Sequence, residues 1–233
     1  MTAHTTRPLR RALTAAAALG LMAAAAPAAA ATGPGPAAAT GPASVSATAS
    51  ASTGAPARPY DRLLPVADLS AQRLLTADQV AASKYRYPAP PGGGTDSPID
   101  DPVRERQVLE AVAARARELG ADPEATVRVF RDQIEANKLV QRDLFRRWDA
   151  DPAQAPTERP DLAKVRLEIN RINGELVRAI ADSAGARAER SCAGWLTAAA
   201  AHTRHDRRLD ALHTAALERS LRSVCAATPD GRR

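Results

Sequence analysis

Hydrophobic side chains recur every three to four residues along most of the chain from residue 59 onward, without any stretch of strict alternation. This spacing is typical of helices with one apolar face, whereas a half-buried strand would alternate. One helical segment opens at Asp122-Pro123, and another opens near Ser97-Pro98 or at Asp101-Pro102. An Asp cap followed by Pro in the first turn is a common helix start. The pattern predicts one all-α domain of six helices over residues 59–227, followed by a polar tail at 228–233.

Prolines and glycines set the boundaries of the predicted helices, and no internal repeat is detectable. The first helix ends at a Pro/Gly-rich loop, residues 88–94. The six helices are predicted over residues 65–87, from 98 or 102 to 119, over 122–148 and 161–185, from 191 onward, and over 206–226.

The N-terminal part of the chain has a different character. Three arginines precede an apolar run at residues 12–26, and small residues follow. This order predicts a secretory signal peptide over residues 1–31, with cleavage within 28–31. The run is shorter than the roughly 20 residues that span a bilayer, so no membrane anchor is predicted. Residues 32–58 are almost wholly Ala, Gly, Pro, Ser and Thr, which predicts a flexible linker and an exported, soluble protein.

Composition and charge narrow the function classes. Aromatic residues make up only 3% of the chain, so Ala, Leu, Val and Ile must supply the core. Of the 32 Lys and Arg, 29 lie outside the predicted signal peptide, and the chain has 26 Asp and Glu. The chain without its signal peptide therefore has a formal charge of +3. This balance, without a basic patch interleaved with aromatic residues, argues against a nucleic-acid partner. Only Lys84, Lys138 and Lys164 are lysines, so a lysine on an apolar face carries more weight than an arginine there.

The cysteines and histidines indicate a structural cross-link rather than a metal site. Cys192 and Cys225 are the only cysteines, and two thiols in an exported chain are expected to form a disulfide, the alternative being two separate buried thiols. His202, His205 and His213 are not joined by cysteines or paired carboxylates at ligand spacing, so we expect them at the surface. Gly-rich phosphate loops and Ser nucleophile elbows are also missing from the sequence.

Two amides lie on an otherwise apolar face of the third predicted helix. At about 100° per residue, Asn137 and Gln141 share a stripe with Phe130, Ile134 and Leu144. A buried amide without a partner costs about 1–3 kcal/mol, so these groups must bond to protein, water or a ligand. The pattern alone leaves an internal network and a ligand site open.

Four cations lie on comparable faces of three other predicted helices. Arg73 and Lys84 share a face of the first helix, Arg104 lies on the second, and Arg166 lies on the fourth. If these faces pack together, unpaired cations would converge in the core, which is too costly without a compensating anion. Arginine forks bind carboxylates through two hydrogen bonds. The set therefore predicts a pocket for a small polyanion, and for a dicarboxylate rather than a metal.

Several segments of the chain resemble the secreted, periplasmic-type, all-α chorismate mutases of actinobacteria. The resemblance covers residues 59–227 and implies a single six-helix type II domain. It rests on residues 71–74, 82–86, 122–123, 129–134, 137–141, 145–148 and 160–162, and on the two cysteines.

The resemblance implies an isomerase of aromatic amino acid biosynthesis that rearranges chorismate to prephenate without a cofactor or a covalent intermediate. Lys84 and Gln141 are then the catalytic pair that donates hydrogen bonds to the ether oxygen of the breaking bond. This chemistry suits them, because a pericyclic reaction needs only a held conformer and stabilisation of developing charge. Some family members have Glu at the second position and need it protonated, whereas Gln141 donates at any pH.

The other polar positions are implied to bind the substrate, and the protein is implied to be a homodimer with a complete site in each subunit. Arg73, Arg104 and Arg166 correspond to carboxylate ligands, Asn137 lies where a small polar residue contacts a carboxylate, and Asp101 or Glu105 receives the substrate hydroxyl or orients Lys84.

A second hypothesis is a non-catalytic exported helical module that binds a small polyanion or a partner protein. The pairing of Lys84 with Gln141 disfavours it, because anion capture alone does not need a donor pair. Such a module would use either the cationic pocket or an arginine-rich surface made of Arg204, Arg207, Arg208, Arg219 and Arg222.

Overall fold

The computed structural model describes residues 57–86 and 99–225, and over these ranges it contains seven α-helices and no strand. The all-α prediction is confirmed, with seven helices in place of six. A short 3-10 helix, Pro152–Gln154, lies between the third and the fourth of them. The helices are α1 (Pro59–Lys84), α2 (Pro102–Glu118), α3 (Pro123–Ala150), α4 (Leu162–Asp182), α5 (Ala184–Ala188), α6 (Cys192–Asp206) and α7 (Ala211–Ser220).

Several predicted segments lie outside the described residues. These are the signal peptide at 1–31, the linker at 32–58 except for its last two residues, the loop at 88–94 and the tail at 228–233. Across the described ranges, no helix is both long enough and apolar enough to cross a membrane.

Helix α1 lies at the centre of the domain and contacts α3, α4, α6 and α7. Leu63, Val66 and Leu74 have almost no exposed surface, and Ala67 and Ala71 have none. Small alanines let neighbouring helices approach closely while the aliphatic residues fill the space between them. The core is thus built as the low aromatic content predicts.

The start of α1 was predicted wrongly, because the helix begins at Pro59 and continues through Pro65. An interior proline removes a backbone donor and normally breaks a helix. Here Leu63 is fully buried and Tyr60 packs against the main core, so the first turns are held by tertiary contacts. Pro59 itself lies in the first turn, where its missing N–H has no intrahelical partner to lose.

The predicted fourth helix is divided at Ser183 into α4 and α5. The buried Ser183 hydroxyl donates to the Ile180 carbonyl at 3.1 Å, a local bond that competes with the helical pattern. Arg187 of α5 then donates to the Val224 carbonyl at 2.7 Å and the Ile180 carbonyl at 3.3 Å. The break therefore depends on contacts with the end of the described chain, which local periodicity does not reveal.

The last predicted helix, over residues 206–226, is shorter than expected. Asp210 caps α7 by accepting a hydrogen bond from the His213 N–H at 2.8 Å. Beyond α7, the Ser223 N–H donates to the Asp132 carboxylate of α3 at 2.9 Å. This tertiary bond holds the backbone in a turn where the sequence pattern alone predicted more helix.

The predicted disulfide between Cys192 and Cys225 is formed, with an S–S distance of 2.05 Å. It joins the start of α6 to the segment after α7, across a sequence separation of 33 residues. A cross-link of this span stabilises the folded state by about 3–4 kcal/mol on the chain-entropy model.

The surface prediction for the histidines is wrong for His213. His202 and His205 are exposed, but His213 is only 7% exposed. Its ring lies 3.1 Å from an Asp78 oxygen on α1 and 2.8 Å from an Asp210 oxygen. The Asp78 hydrogen bond, opposed by burial and supported by Asp210, raises the pKa of His213 to about 9. The imidazolium is buried because these carboxylates compensate its charge.

Candidate active site

One pocket lies between α1, α2, α3 and α4, and it brings together all the polar residues predicted for the site. Val80, Val108 and Ile134 are among its apolar walls. The polar lining consists of Arg73, Lys84, Asp101, Arg104, Glu105, Asn137, Lys138, Gln141 and Arg166.

Arg73 forms the base of this pocket from the middle of α1. Its side chain is buried, and its Nε donates to Asn173 Oδ1 at 2.9 Å while Nη1 donates to the Gln133 carbonyl at 3.0 Å. Burial lowers the pKa of Arg73 to about 10, so the guanidinium is still charged near neutral pH. The two bonds fix the plane of the guanidinium against α3 and α4.

Lys84 is the last residue of α1 and is 8% exposed. Burial, followed by the nearby charge of Arg166, lowers the pKa of the Lys84 ammonium, while Asp101, Asp100 and Glu105 oppose that shift. A poorly solvated ammonium interacts more strongly with a ligand than a surface lysine does.

A small aromatic cluster anchors the end of α1 beside Lys84. The ring of Tyr85 lies 5.0 Å from Trp148 and 5.3 Å from Phe145, measured between ring centroids. The Tyr85 hydroxyl donates to Asp149 Oδ1 at 3.0 Å. This cluster is separate from the main core, so it holds the helix end that carries the pocket lysine.

Asn137 and Gln141 face the pocket from adjacent turns of α3. Asn137 Nδ2 donates to the Arg73 carbonyl at 3.2 Å, and Gln141 Nε2 donates to the Asn137 carbonyl at 3.3 Å. Each amide nitrogen carries two donors, and each of these bonds uses one. Among the described residues, the buried Gln141 Oε1 has no hydrogen-bond partner. Internal bonds therefore orient both amides without using their full capacity.

The start of α2 closes the pocket on the side of α4. Asp101 caps this helix by accepting a hydrogen bond from the Arg104 N–H at 3.0 Å. Arg104 Nη2 donates to Asn170 Oδ1 of α4 at 3.2 Å, and Arg166 lines the pocket from one turn earlier. Arginines from α2 and α4 are thus brought to the same cavity.

Lys138 is a pocket residue that the sequence interpretation did not assign to the site. Its Nζ lies 2.8 Å from Glu105, 2.9 Å from Glu135 and 3.2 Å from Asp100, in each case to one carboxylate oxygen. Burial opposes a raised pKa, but the hydrogen bonds to these carboxylates dominate and raise the pKa of Lys138. Its position four residues after the pocket residue Ile134 was the available signal.

The lining is strongly cationic, which limits what the pocket can do. Over the described ranges, its charged residues are five Lys or Arg and two carboxylates. Nowhere in these ranges do three or more His, Cys, Asp or Glu side chains form a group that could hold a metal ion. An anion can be bound here by arginine forks, and a lysine and an amide can donate hydrogen bonds to it.

Comparison with known proteins then shows the family. The sequence model of the family described as chorismate mutase type II matches residues 66–142. The secreted chorismate mutase of Mycobacterium tuberculosis is 34% identical over 168 residues, covering 72% of this chain and 80% of that protein. The chain belongs to the secreted chorismate mutase family. A second secreted chorismate mutase, from Mycolicibacterium smegmatis, is 45% identical over 119 residues, which are 51% of this chain and 61% of that relative.

Solved chorismate mutases share the fold over nearly their whole length. The crystal structure of the Burkholderia phymatum protein gives a TM-score of 0.65 at 33% identity, covering 72% of this chain and 99% of that one. The Burkholderia thailandensis protein gives 0.64 at 33% identity, covering 70% and 99%. Because both mycobacterial relatives are named secreted, the predicted export of this family member is confirmed.

Proposed function

We propose that the pocket between α1 and α4 catalyses the rearrangement of chorismate to prephenate. The observation that carries the proposal is the meeting of buried Lys84 and Gln141 with three arginines in one cavity. The substrate is a compact dicarboxylate ether, so it requires both cationic ligands and donors to an ether oxygen. Membership of the chorismate mutase family supports this substrate over other dianions.

The arginines bind the two carboxylates and hold the substrate in its reactive conformer. Arg73 and Arg166 each bind one carboxylate, and Arg104 adds a further contact from α2. Asn137 contacts a carboxylate through the second N–H of its Nδ2, because the first donates to the Arg73 carbonyl. Holding a flexible ether in one conformer removes part of the entropic barrier, which is the main task in a reaction with no proton transfer.

Lys84 and Gln141 stabilise the transition state by donating to the ether oxygen. Negative charge develops on this oxygen as the C–O bond breaks, so the two donors bind the transition state more strongly than the substrate. By analogy with oxyanion donors, each is worth about 3–4 kcal/mol. The burial of both side chains supports this role, because low solvation strengthens each hydrogen bond.

The two pocket carboxylates have different tasks in this proposal. Asp101 uses one oxygen to cap α2, and its charge helps to keep the Lys84 ammonium protonated. Glu105 receives the substrate hydroxyl, for which a carboxylate is a strong acceptor.

All the proposed site residues come from one chain, which supports a complete site in each subunit. We further propose that the exported protein is a homodimer from which residues 1–31 have been removed. Its size in solution and its N-terminal residue test both parts.

The function is tested by following chorismate loss and prephenate formation with the oxidised protein. Lys84→Ala is expected to lower kcat/KM by about 10²–10³-fold, from the loss of one preorganised donor. Lys164→Ala is the matched control, since Lys164 is exposed on α4 and lies outside the pocket lining. Folded wild-type protein without turnover would contradict the proposal and favour a non-catalytic anion-binding module.

A further inference from the structure

Lys138 lies at the border of the pocket, surrounded by carboxylates from two helices and from the segment before α2. The closest is Glu105 of α2 at 2.8 Å, followed by Glu135 of α3 at 2.9 Å and Asp100 at 3.2 Å. The Lys138 side chain is only 10% exposed. Arg142 supports the arrangement from outside by binding the same Asp100 carboxylate at 2.7 Å.

An ammonium has three N–H donors, and three carboxylates lie within reach of this one. Lys138 therefore has little capacity left for a substrate carboxylate, although it lines the pocket. The surroundings of the two pocket lysines differ. Burial lowers the pKa of Lys84, whereas hydrogen bonds to three carboxylates outweigh burial and raise the pKa of Lys138. The two pocket lysines are set up for different tasks.

Glu105 presents an electrostatic problem in a pocket for a dianion. Its carboxylate lines the same cavity as Arg104 and Arg166, and a carboxylate can occupy an arginine fork as the substrate does. A Glu105 side chain that reached these arginines would compete with the substrate and repel it. The contact with Lys138 holds the carboxylate toward α3 instead.

We propose that Lys138 is a positioning residue that holds Oε1 of Glu105, so that this carboxylate keeps away from the pocket arginines and presents its other oxygen to the substrate hydroxyl. This inference rests on the proposed function, because it assumes a dicarboxylate substrate with a hydroxyl group. The Lys138 ammonium acts through Glu105 and makes no substrate contact of its own.

The test is a double-mutant cycle on steady-state kinetics with Lys138→Met, Glu105→Gln and the double variant. Lys138→Met is expected to raise KM about tenfold with kcat changed less than threefold, since the hydroxyl contact binds substrate and transition state alike. In the double variant, KM is expected to match that of Glu105→Gln alone, because Lys138 then has no carboxylate to hold.

Glu135→Gln is the matched control, since it removes another partner of the same ammonium but lies outside the pocket lining. Its KM is expected to stay within twofold of wild type. If Glu135→Gln raised KM as much as Lys138→Met does, the network as a whole and not the hold on Glu105 would be responsible.

If the KM increases of the two single variants multiplied in the double variant, the proposal would be overturned, because a purely structural lysine acts independently of Glu105. An unchanged KM in Lys138→Met would overturn it as well. Should Lys138→Met fail to fold by circular dichroism, Lys138→Gln takes its place in the same cycle with the same expected non-additivity. Absence of turnover in the wild-type protein would instead contradict the proposed function.

Discussion

Helix α1 buries aliphatic side chains along most of its length, and its C-terminal half buries two cations in addition. Leu63 and Val66 are fully enclosed by the main core, whereas Arg73 and Lys84 are buried among polar partners and charges. Aliphatic burial contributes about 1.5–3 kcal/mol per large side chain, while burying a cation costs free energy unless it is compensated. One helix thus combines aliphatic burial that stabilises the fold with a C-terminal half that is also prepared for an anion.

The surroundings of the two halves follow the same division. The N-terminal half is flanked by α6, where Tyr60 contacts His202 and Asp68 binds Arg207 at 2.9 Å. The C-terminal half meets α3 and α4 at the pocket and ends in the aromatic cluster around Tyr85. A long helix can carry a polar, costly site at one end because apolar contacts at the other end keep it in place.

The largest effects are expected from two single substitutions, one in each half of α1. Lys84→Ala should leave the free energy of unfolding within about 1 kcal/mol of wild type despite its loss of activity, because it removes a poorly solvated charge. Leu63→Ala should lower the free energy of unfolding by about 2–5 kcal/mol, from lost burial and a cavity, with kcat unchanged. Urea denaturation and steady-state kinetics on both variants test this division. A large loss of kcat in folded Leu63→Ala would show that the halves are not separable.

The disulfide, like the N-terminal half of α1, is expected to act on stability and not on the pocket, because neither cysteine lines the cavity. Replacing Cys192 and Cys225 with serine is expected to lower the free energy of unfolding by about 3–4 kcal/mol, since the unfolded chain regains the entropy of the loop. KM for chorismate is expected to stay within twofold below the new melting temperature. A tenfold difference in KM between the oxidised wild-type protein and the double serine variant, with both folded, would show that the disulfide also shapes the pocket.

Gln141→Glu should make catalysis in the pocket depend on pH. Wild-type kcat/KM is expected to be flat between about pH 5 and 8, because an amide donates at any pH. The variant donates only when its carboxyl is protonated, so its kcat/KM should fall as the pH rises above the pKa of that carboxyl. The pH profiles of the two proteins, with Lys164→Ala as control, provide the measurement. A steep fall between pH 5 and 8 in the wild type would contradict the role of Gln141.

The smallest effect concerns His213, which joins α7 to the middle of α1. Its folded pKa of about 9 lies above the ordinary value of 6.5, so its contribution to stability is complete below about pH 6.5 and is lost as the pH rises through about 9. Because Asp78 and Asp210 are partly exposed, we expect a contribution of roughly 1–2 kcal/mol after screening. Free energies of unfolding at pH 6 and pH 10, compared with those of His213→Gln, measure it. An equal pH dependence in the variant would assign the effect to other groups.

The pocket was largely predictable because its residues break a simple rule. A cation or an amide on an apolar helix face has few explanations, so Arg73, Lys84, Arg104, Asn137, Gln141 and Arg166 stood out by spacing alone, and the resemblance supplied their tasks. Lys138 was missed because two of its three carboxylate partners, Asp100 and Glu105, are brought to it only by folding, from positions that spacing does not relate to it.

The errors in the fold have a common cause as well. Pro65, Ser183 and His213 each obey a local rule in the sequence that a tertiary contact overrides in the structure. The burial of Leu63 holds α1 in place on both sides of Pro65. The hydrogen bonds of Arg187 fix the helix break at Ser183. The contact with Asp78 stabilises His213 in the interior. Periodicity predicts which face of a helix is buried, but it contains no information on the partner that the face meets.

The aromatic cluster beside Lys84 also gives the molecule an optical reporter. The chain holds two tryptophans, and Trp148 is packed against Tyr85 while Trp195 on α6 is 41% exposed. An enclosed indole and a hydrated one emit at different wavelengths, so the fluorescence spectrum distinguishes Trp148, beside the C-terminal end of α1, from Trp195 on α6. Loss of packing in the aromatic cluster can therefore be followed in an unlabelled sample through the emission of Trp148.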